Sequence, residues 1–142
     1  MIAKEFEEFL LSHLDHYLVP AEDLAIFIDT HNSDHAMLLL ANNGYSRVPV
    51  ITKDKEYVGT ISIADIMSYQ ANNQLTDWEL AQTDIGKMVN TKLQTISNTS
   101  SLTDIMHLLV DYPFLPVLDK NNHFLGIITR KSILKAVNSL LH

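Results

Sequence analysis

The chain contains two arginines, Arg47 and Arg130, and the second is followed directly by Lys131. A guanidinium presents a rigid fork of N–H donors that matches the oxygens of a phosphate. The chain as a whole is acidic, with 10 Lys and Arg against 17 Asp and Glu and a formal net charge of −7. An anionic ligand therefore needs a local basic site, and these three residues are the first candidates for it. The simpler alternative is that both arginines form ordinary ion pairs at the surface.

Composition and charge remove several classes of function. A net charge of −7 opposes binding to nucleic acids and to anionic membranes. The absence of cysteine excludes disulfides, thiolate zinc sites and cysteine nucleophiles. No run of about 18 apolar residues is present to span a membrane. The N-terminus carries three Glu in its first eight residues and no secretory apolar run, so we expect a cytoplasmic protein.

Catalytic patterns are missing from the sequence. The four glycines do not form a phosphate-binding loop or a dinucleotide fingerprint, and no Gly-x-Ser-x-Gly occurs. His31 and His35 have the i, i+4 spacing of a metal pair, but the intervening Asn32 and Ser33 indicate a turn or helix start. No third ligand accompanies the two histidines. We therefore expect no enzyme, no metal site and no cofactor.

Two parts of the sequence repeat at a constant offset. Pro49 and Pro116 interrupt similar apolar runs 67 residues apart (116 − 49 = 67), and Gly59 and Gly126 are separated by the same number (126 − 59 = 67). Each glycine begins an apolar run that ends in a hydroxyl residue, in the segments Gly59-Thr60-Ile61-Ser62 and Gly126-Ile127-Ile128-Thr129. The chain is therefore predicted to contain two divergent copies of one unit.

Each copy is predicted to form strand, helix, strand, strand, helix, which makes the fold α+β. In the first copy, strands are expected at 25–28, 48–52 and 57–62, and helices after the N-cap Ser33 and from Ile63. Asn43-Gly44 should end the first of these helices. The second copy should have its elements at 93–96, 102–110, 114–118, 124–129 and 131–141.

The segments outside the repeat complete the predicted organisation. Residues 1–16 carry an amphipathic helical stripe, and Thr76 to Glu79 have capping-box spacing for a short linker helix. The predicted divisions are an N-terminal helix at 1–16, the first copy at 17–71, a linker at 72–84 and the second copy at 85–142.

This repeat resembles the cystathionine-β-synthase (CBS) domain pair, or Bateman module, over about residues 17 to 142. The resemblance implies two motifs packed sheet to sheet with pseudo-twofold symmetry, and two clefts that bind adenosine-containing ligands. The family's ribose signature is a hydroxyl residue three positions before an aspartate, which is Ser62 and Asp65 in the first copy. The second copy has Thr129 and Ser132 instead. Asp65 could accept hydrogen bonds from ribose hydroxyls, or could simply stabilise the first turn of its helix.

In its details the chain looks like the stand-alone cyclic-di-AMP-binding CBS proteins of Gram-positive bacteria. Those proteins are second-messenger receptors that regulate a partner enzyme. The resemblance implies that apolar strand residues and Tyr45 enclose adenine while basic residues meet the phosphates. Asp23 departs from the pattern, since a basic residue before Leu24 would better suit a dianion. The implied ligand-binding residues are Leu24, Ala25, Ile26, Phe27, Tyr45, Ser46, Arg47, Pro49, Thr129, Arg130 and Lys131, with Ser62 and Asp65 in the second cleft.

Three functions stay open on the sequence alone. The favoured one is a receptor for cyclic di-AMP that regulates a partner protein and, by family analogy, forms a homodimer. The second is an energy sensor of the same fold that binds AMP, ADP or ATP. The third is an interaction module with no ligand, which the altered corner at Thr129 to Ser132 favours.

Overall fold

The computed structural model describes residue 4 and residues 17–141. The helix predicted for residues 1–16 lies outside the described residues, apart from residue 4. In chain order the elements are β1 (Leu18–Pro20), β2 (Phe27–Ile28), α1 (Ser33–Asn43), β3 (Val48–Ile51), β4 (Tyr57–Ile61), α2 (Ile63–Asn72), α3 (Asp77–Ala81), β5 (Ile96–Ser97), α4 (Leu102–Asp111), β6 (Phe114–Leu118), β7 (Phe124–Thr129) and α5 (Arg130–Leu141). Short 3-10 turns occur at Ala21–Asp23 and Ile85–Lys87. The α+β class predicted from the repeat is confirmed.

The chain divides into two compact units, which are described separately. One consists of residues 25–93, and the other combines the described residues up to 24 with those from 94 onwards. None of the helices in the part of the chain that the structure describes is long and apolar enough to cross a membrane.

The unit of residues 25–93 is built on a three-stranded sheet with the order β2-β3-β4. β2 runs parallel to β3 because the crossover helix α1 connects them, whereas β3 and β4 form an antiparallel hairpin. All four residues of β3 are buried, as expected for a strand with a neighbour on each side. The core of this unit consists of Phe27, Ala36, Leu40, Val48, Val50, Ile61, Ile66, Ile85 and Met88.

The ends of α1 and α3 have identifiable local causes. The N-cap of α1 is Asn32, and not Ser33 as predicted, because the Asn32 side chain accepts the His35 N–H at 3.0 Å. Ser33 is instead buried in the first turn, where its hydroxyl donates to the Leu80 carbonyl. Gly44 ends α1 in the left-handed conformation at φ 66°, as predicted. The predicted linker helix is confirmed as α3, with Thr76 as its capping residue.

The other unit is built on a four-stranded sheet with the order β1-β7-β6-β5. β5 and β6 are parallel across α4, and β6 and β7 form the antiparallel hairpin predicted for the second copy. β1 is antiparallel to β7, with Val19 opposite Ile127 and Pro20 opposite Gly126. The buried core is formed by Tyr17, Ile96, Leu102, Ile105, Leu109, Leu115, Val117, Ile128 and Ile133.

In each unit the repeat glycine lies on the β-hairpin at a point where another backbone segment packs closely against it. That segment contains Asn90 beside Gly59, and Val19 with Pro20 beside Gly126. A Cβ atom on Gly59 would lie 2.8 Å from the Asn90 carbonyl oxygen, and one on Gly126 would lie 3.0 Å from the Pro20 Cα and closer still to the Val19 carbonyl. Each unit thus includes the first residues of the copy that forms most of the other unit, residues 85–93 in one case and residues 17–24 in the other. The units consequently divide at 24/25 and 93/94, whereas the sequence repeat placed residues 17–24 with the first copy and 85–93 with the second.

Candidate functional site

Arg47 precedes β3 and is held by polar residues of its own unit. Its Nη1 donates to the Thr60 hydroxyl at 2.9 Å and to Asp65 Oδ2 at 2.8 Å, and its Nη2 lies 3.5 Å from the Ser62 hydroxyl. In the Arg47–Asp65 ion pair, the side chain of Arg47 is 27% exposed and that of Asp65 is 17% exposed. Sequence analysis assigned Arg47 to one cleft and Ser62 with Asp65 to the other, and the structure joins all three in one network. The charge of Arg47 is therefore compensated within the unit.

Ser62 and Asp65 form a reciprocal cap at the start of α2. The Ser62 hydroxyl accepts the Asp65 N–H at 3.1 Å, and Asp65 Oδ2 accepts the Ser62 N–H at 3.0 Å. Asp65 Oδ1 accepts from the Asn90 amide at 3.4 Å. Both carboxylate oxygens thus accept hydrogen bonds from protein groups, and Asp65 stabilises the start of α2 through the capping box. Thr60 and Asn90 were missed by sequence analysis, although Thr60 directly follows the repeat glycine.

The corresponding corner of the second copy keeps the cap and loses the charge. The Thr129 N–H donates to the Ser132 hydroxyl at 3.0 Å, and the Ser132 N–H donates to the Thr129 hydroxyl at 2.9 Å. The position equivalent to Arg47 is Phe114 (47 + 67 = 114). The corner after β7 therefore has no counterpart of the Arg47–Asp65 ion pair.

Arg130 and Lys131 stand at the start of α5. Arg130 donates from Nε to the Leu109 carbonyl at 2.6 Å and from Nη2 to the Val110 carbonyl at 2.9 Å, in the last turn of α4. A cation near the carbonyl end of a helix is favourable. Neither Arg130 nor Lys131 forms an ion pair with a described residue, and both are exposed. Arg130 is thus partly compensated by the α4 carbonyls, whereas Lys131 has no ion-pair partner among the described residues, so this basic corner at a helix N-terminus favours an anion beside it.

The apolar residues implied for adenine divide into buried and accessible groups. Phe27 is 4% exposed and lies in the core, and Pro49 is buried in β3 opposite Thr60. Both side chains are therefore buried inside their own unit in this structure. Tyr45 is 46% exposed and Ser46 is exposed. Leu24, Ala25 and Ile26 are half-buried. Ala25 and Ile26 belong to the unit of residues 25–93, whereas Leu24 belongs to the other unit.

Comparison with known proteins decides the family. Two segments of the chain, residues 22–72 and 84–139, match the CBS domain. The chain belongs to the CBS domain family. The CBS resemblance derived from the sequence repeat is thereby confirmed.

Proteins similar to this chain include CbpB, which has been crystallised alone and with c-di-AMP, and a cyclic di-AMP receptor. The crystal structure of CbpB from Streptococcus agalactiae is 74% identical, covers 99% of this chain and 89% of that chain, and gives a TM-score of 0.94. CbpB in complex with c-di-AMP is likewise 74% identical, covers 98% of this chain and 93% of that chain, and gives a TM-score of 0.92. Cyclic di-AMP receptor B of Bacillus subtilis is 23% identical over 139 residues, covering 97% of this chain and 95% of that protein.

Tyr57 lies within the electrostatic reach of Arg47 in this CBS unit. Burial raises the pKa of the Tyr57 phenol to about 12, and the positive charge of Arg47 acts in the opposite direction. The phenol therefore stays protonated at neutral pH, and it adds no negative charge beside Arg47.

Asp65→Asn tests the stabilising role of the Arg47 network. The amide keeps an acceptor oxygen for the cap but removes the negative charge, which leaves the half-buried Arg47 uncompensated. We expect the free energy of unfolding to fall by about 1 to 3 kcal/mol, measured by urea denaturation. Asp54→Asn, in the exposed β3–β4 turn, is the matched control and should change stability by less than about 0.5 kcal/mol. Equal effects of the two variants would contradict a stabilising ion pair.

Proposed function

We propose that this chain is a non-catalytic receptor that binds cyclic di-AMP and regulates a partner protein according to its occupancy. The observation that carries the proposal is the pair of adjacent exposed cations, Arg130 and Lys131, at the start of α5, neither of which forms an ion pair with a described residue. Each phosphate of a cyclic dinucleotide carries a negative charge that this corner would attract. The 74% identical CbpB, which has been crystallised with c-di-AMP, supports the same ligand for this chain.

The two alternative functions are less well supported by the geometry. A mononucleotide held through its ribose would need Asp65, but both oxygens of that carboxylate already accept hydrogen bonds from Arg47, Ser62 or Asn90. An interaction module with no ligand would leave Arg130 and Lys131 without a carboxylate or phosphate partner among the groups that the structure describes. The ligand contacts expected from the resemblance all stay predictions, namely those of Leu24, Ala25, Ile26, Phe27, Tyr45, Ser46, Arg47, Pro49, Thr129, Arg130 and Lys131, and of Ser62 and Asp65 in the second cleft.

The proposal includes a homodimer and a cytoplasmic location. Met67 and Leu134 occupy equivalent positions of the two copies (134 − 67 = 67) and are 59% and 66% exposed. The homodimer is proposed from the family resemblance, and each unit offers one of these exposed apolar side chains for contact with a second copy of the chain. The cytoplasmic location follows from the proposed role, since a receptor shares a compartment with its ligand and with the partner that it regulates.

Isothermal titration with cyclic di-AMP, AMP, ADP and ATP at matched ionic strength tests the ligand. We expect saturable binding of cyclic di-AMP and much weaker binding of the mononucleotides. Cyclic di-GMP is the control for the base, because it carries the same two phosphates. Preference for a mononucleotide would transfer support to the energy sensor. Failure of all these nucleotides to bind would leave the interaction module.

A further inference from the structure

Trp78, the single tryptophan of the chain, is 73% exposed on α3. Leu80 packs against the core of the unit of residues 25–93, and residues two apart on an α-helix point about 200° away from each other. Tryptophan side chains are mostly buried in folded proteins, and at protein interfaces they often supply much of the binding energy. An indole held in solvent on a helix that is anchored on its other side therefore indicates a contact surface.

The helix that carries this indole is fixed by its own cap and by α2. Thr76 and Glu79 form a capping box with hydrogen bonds of 3.0 and 3.1 Å. The Gln70 amide in α2 donates to the Asp77 carboxylate at 2.8 Å. Trp78 is therefore presented on a surface that is already formed before a partner binds, which lowers the cost of ordering it.

The surface around the indole is negatively charged. Residues 70–84 include Asp77, Glu79 and Asp84 and contain no lysine, arginine or histidine. All three carboxylates are exposed, and none forms an ion pair with a described residue. Trp78 together with these three acidic residues is called the Trp78 surface. It combines one large aromatic ring with negative charge that no described cation compensates.

The charge of the Trp78 surface selects between possible occupants. A second copy bound through this patch would bring the same carboxylates against each other, because a twofold interface uses the same patch of both chains. Anionic ligands and anionic membranes are repelled by the same charge. A basic protein segment is attracted, and a guanidinium can also stack on the indole through a cation–π contact.

From this combination of ring and charge we infer that the Trp78 surface docks a basic, arginine-containing segment of the regulated protein, with an arginine over the Trp78 ring. The inference rests on the proposed regulation of a partner protein, and it names the chemistry by which that partner is recognised. Complementary charge would speed the encounter, and the ring would favour arginine over lysine.

Fluorescence anisotropy of a fluorescein-labelled hexa-arginine peptide, titrated with the full chain at physiological ionic strength, tests this surface. We expect saturable binding, and weaker binding of a hexa-lysine peptide of the same charge. Trp78→Ala should weaken the binding of hexa-arginine by about tenfold. Its melting temperature should stay unchanged, because the side chain is exposed. The emission of Trp78 in the unmodified chain should change as hexa-arginine binds.

Two double variants separate the Trp78 surface from the net charge of the protein. Asp77→Asn with Glu79→Gln keeps the acceptor oxygens for Gln70 and for the cap, and removes two negative charges. It should weaken hexa-arginine binding by about three- to tenfold. Asp54→Asn with Glu56→Gln removes two exposed carboxylates from the β3–β4 turn and should leave the affinity unchanged. Equal losses in the two double variants would show attraction to net charge alone and would overturn the inference.

The inference is also overturned if hexa-arginine does not bind, or if Trp78→Ala binds it as tightly as the unmodified chain. Self-association that Trp78→Ala abolishes, measured by analytical ultracentrifugation without peptide, would assign the surface to a second copy and overturn the inference as well. Cyclic di-AMP should bind Trp78→Ala and the unmodified chain equally. Binding of hexa-arginine without any binding of cyclic di-AMP would instead overturn the proposed ligand and leave the Trp78 surface standing.

Discussion

Replacing Arg130 and Lys131 together by alanine is expected to weaken cyclic di-AMP binding by about 3 to 6 kcal/mol, if each makes one charged hydrogen bond to phosphate. The double variant removes both cations at the start of α5, neither of which forms an ion pair with a described residue. A loss of this size shifts the dissociation constant by at least about 100-fold. Isothermal titration measures the change directly.

The single variants separate ligand contact from helix stability. Arg130→Ala also removes the two hydrogen bonds to the Leu109 and Val110 carbonyls, so it should lower the melting temperature as well as the affinity. Lys131→Ala should lower the affinity with little change in the melting temperature followed by circular dichroism, since an exposed side chain adds little to stability. Lys135→Ala, an exposed lysine one turn further along α5, is the matched control. Unchanged affinity in both single variants would exclude this corner from the ligand site.

Gly126→Ala is expected to lower the free energy of unfolding by about 2 to 5 kcal/mol, the sum of backbone strain and overpacking. Gly126 has a φ of 153°, and its missing Cβ leaves space for the Val19 carbonyl and Pro20 on β1. An added methyl group therefore forces β1 away from β7.

Gly44→Ala is the matched control for that variant. Gly44 also has a positive φ, of 66°, but a Cβ there would meet no atom within 4 Å. Its replacement should lower the free energy of unfolding by about 1 to 2 kcal/mol, because only the left-handed backbone strain is added. Urea denaturation should be followed by circular dichroism, because the single tryptophan, Trp78, is 73% exposed and reports poorly on the core. Equal losses for the two glycines would contradict the close packing of β1 on β7.

The elements of the repeat were predictable because their signals are local. The αL glycine at Gly44, the capping box at Thr76 and the paired apolar runs around Pro49 and Pro116 each act within a few residues. The pairing of β1 with β7 was not predictable, because it joins Leu18 to Ile128 across most of the chain. Three residues of β1 carry too little pattern to indicate which strand they join.

The contacts that the candidate site residues make within their own units were predicted less completely than the fold, for a related reason. Arg47 and Asp65 are 18 residues apart, and they meet only because the β3–β4 hairpin returns the chain to the start of α2. Charge counting could not reveal this ion pair, and the assignment of Arg47 to a ligand stays a prediction. Phe27 and Pro49 show the same difficulty, since an apolar strand residue has the same pattern whether it contacts a ligand or the core.

The reciprocal caps at Ser62–Asp65 and Thr129–Ser132 have a consequence for how the two copies diverge. The same pair of N–H to oxygen hydrogen bonds starts α2 and α5, with a carboxylate in one copy and a hydroxyl in the other. One substitution at the fourth position of this motif can therefore change the local charge by one unit while the helix still begins at the same place. A duplicated unit can in this way acquire a new ligand preference in one copy while the other retains its internal ion pair.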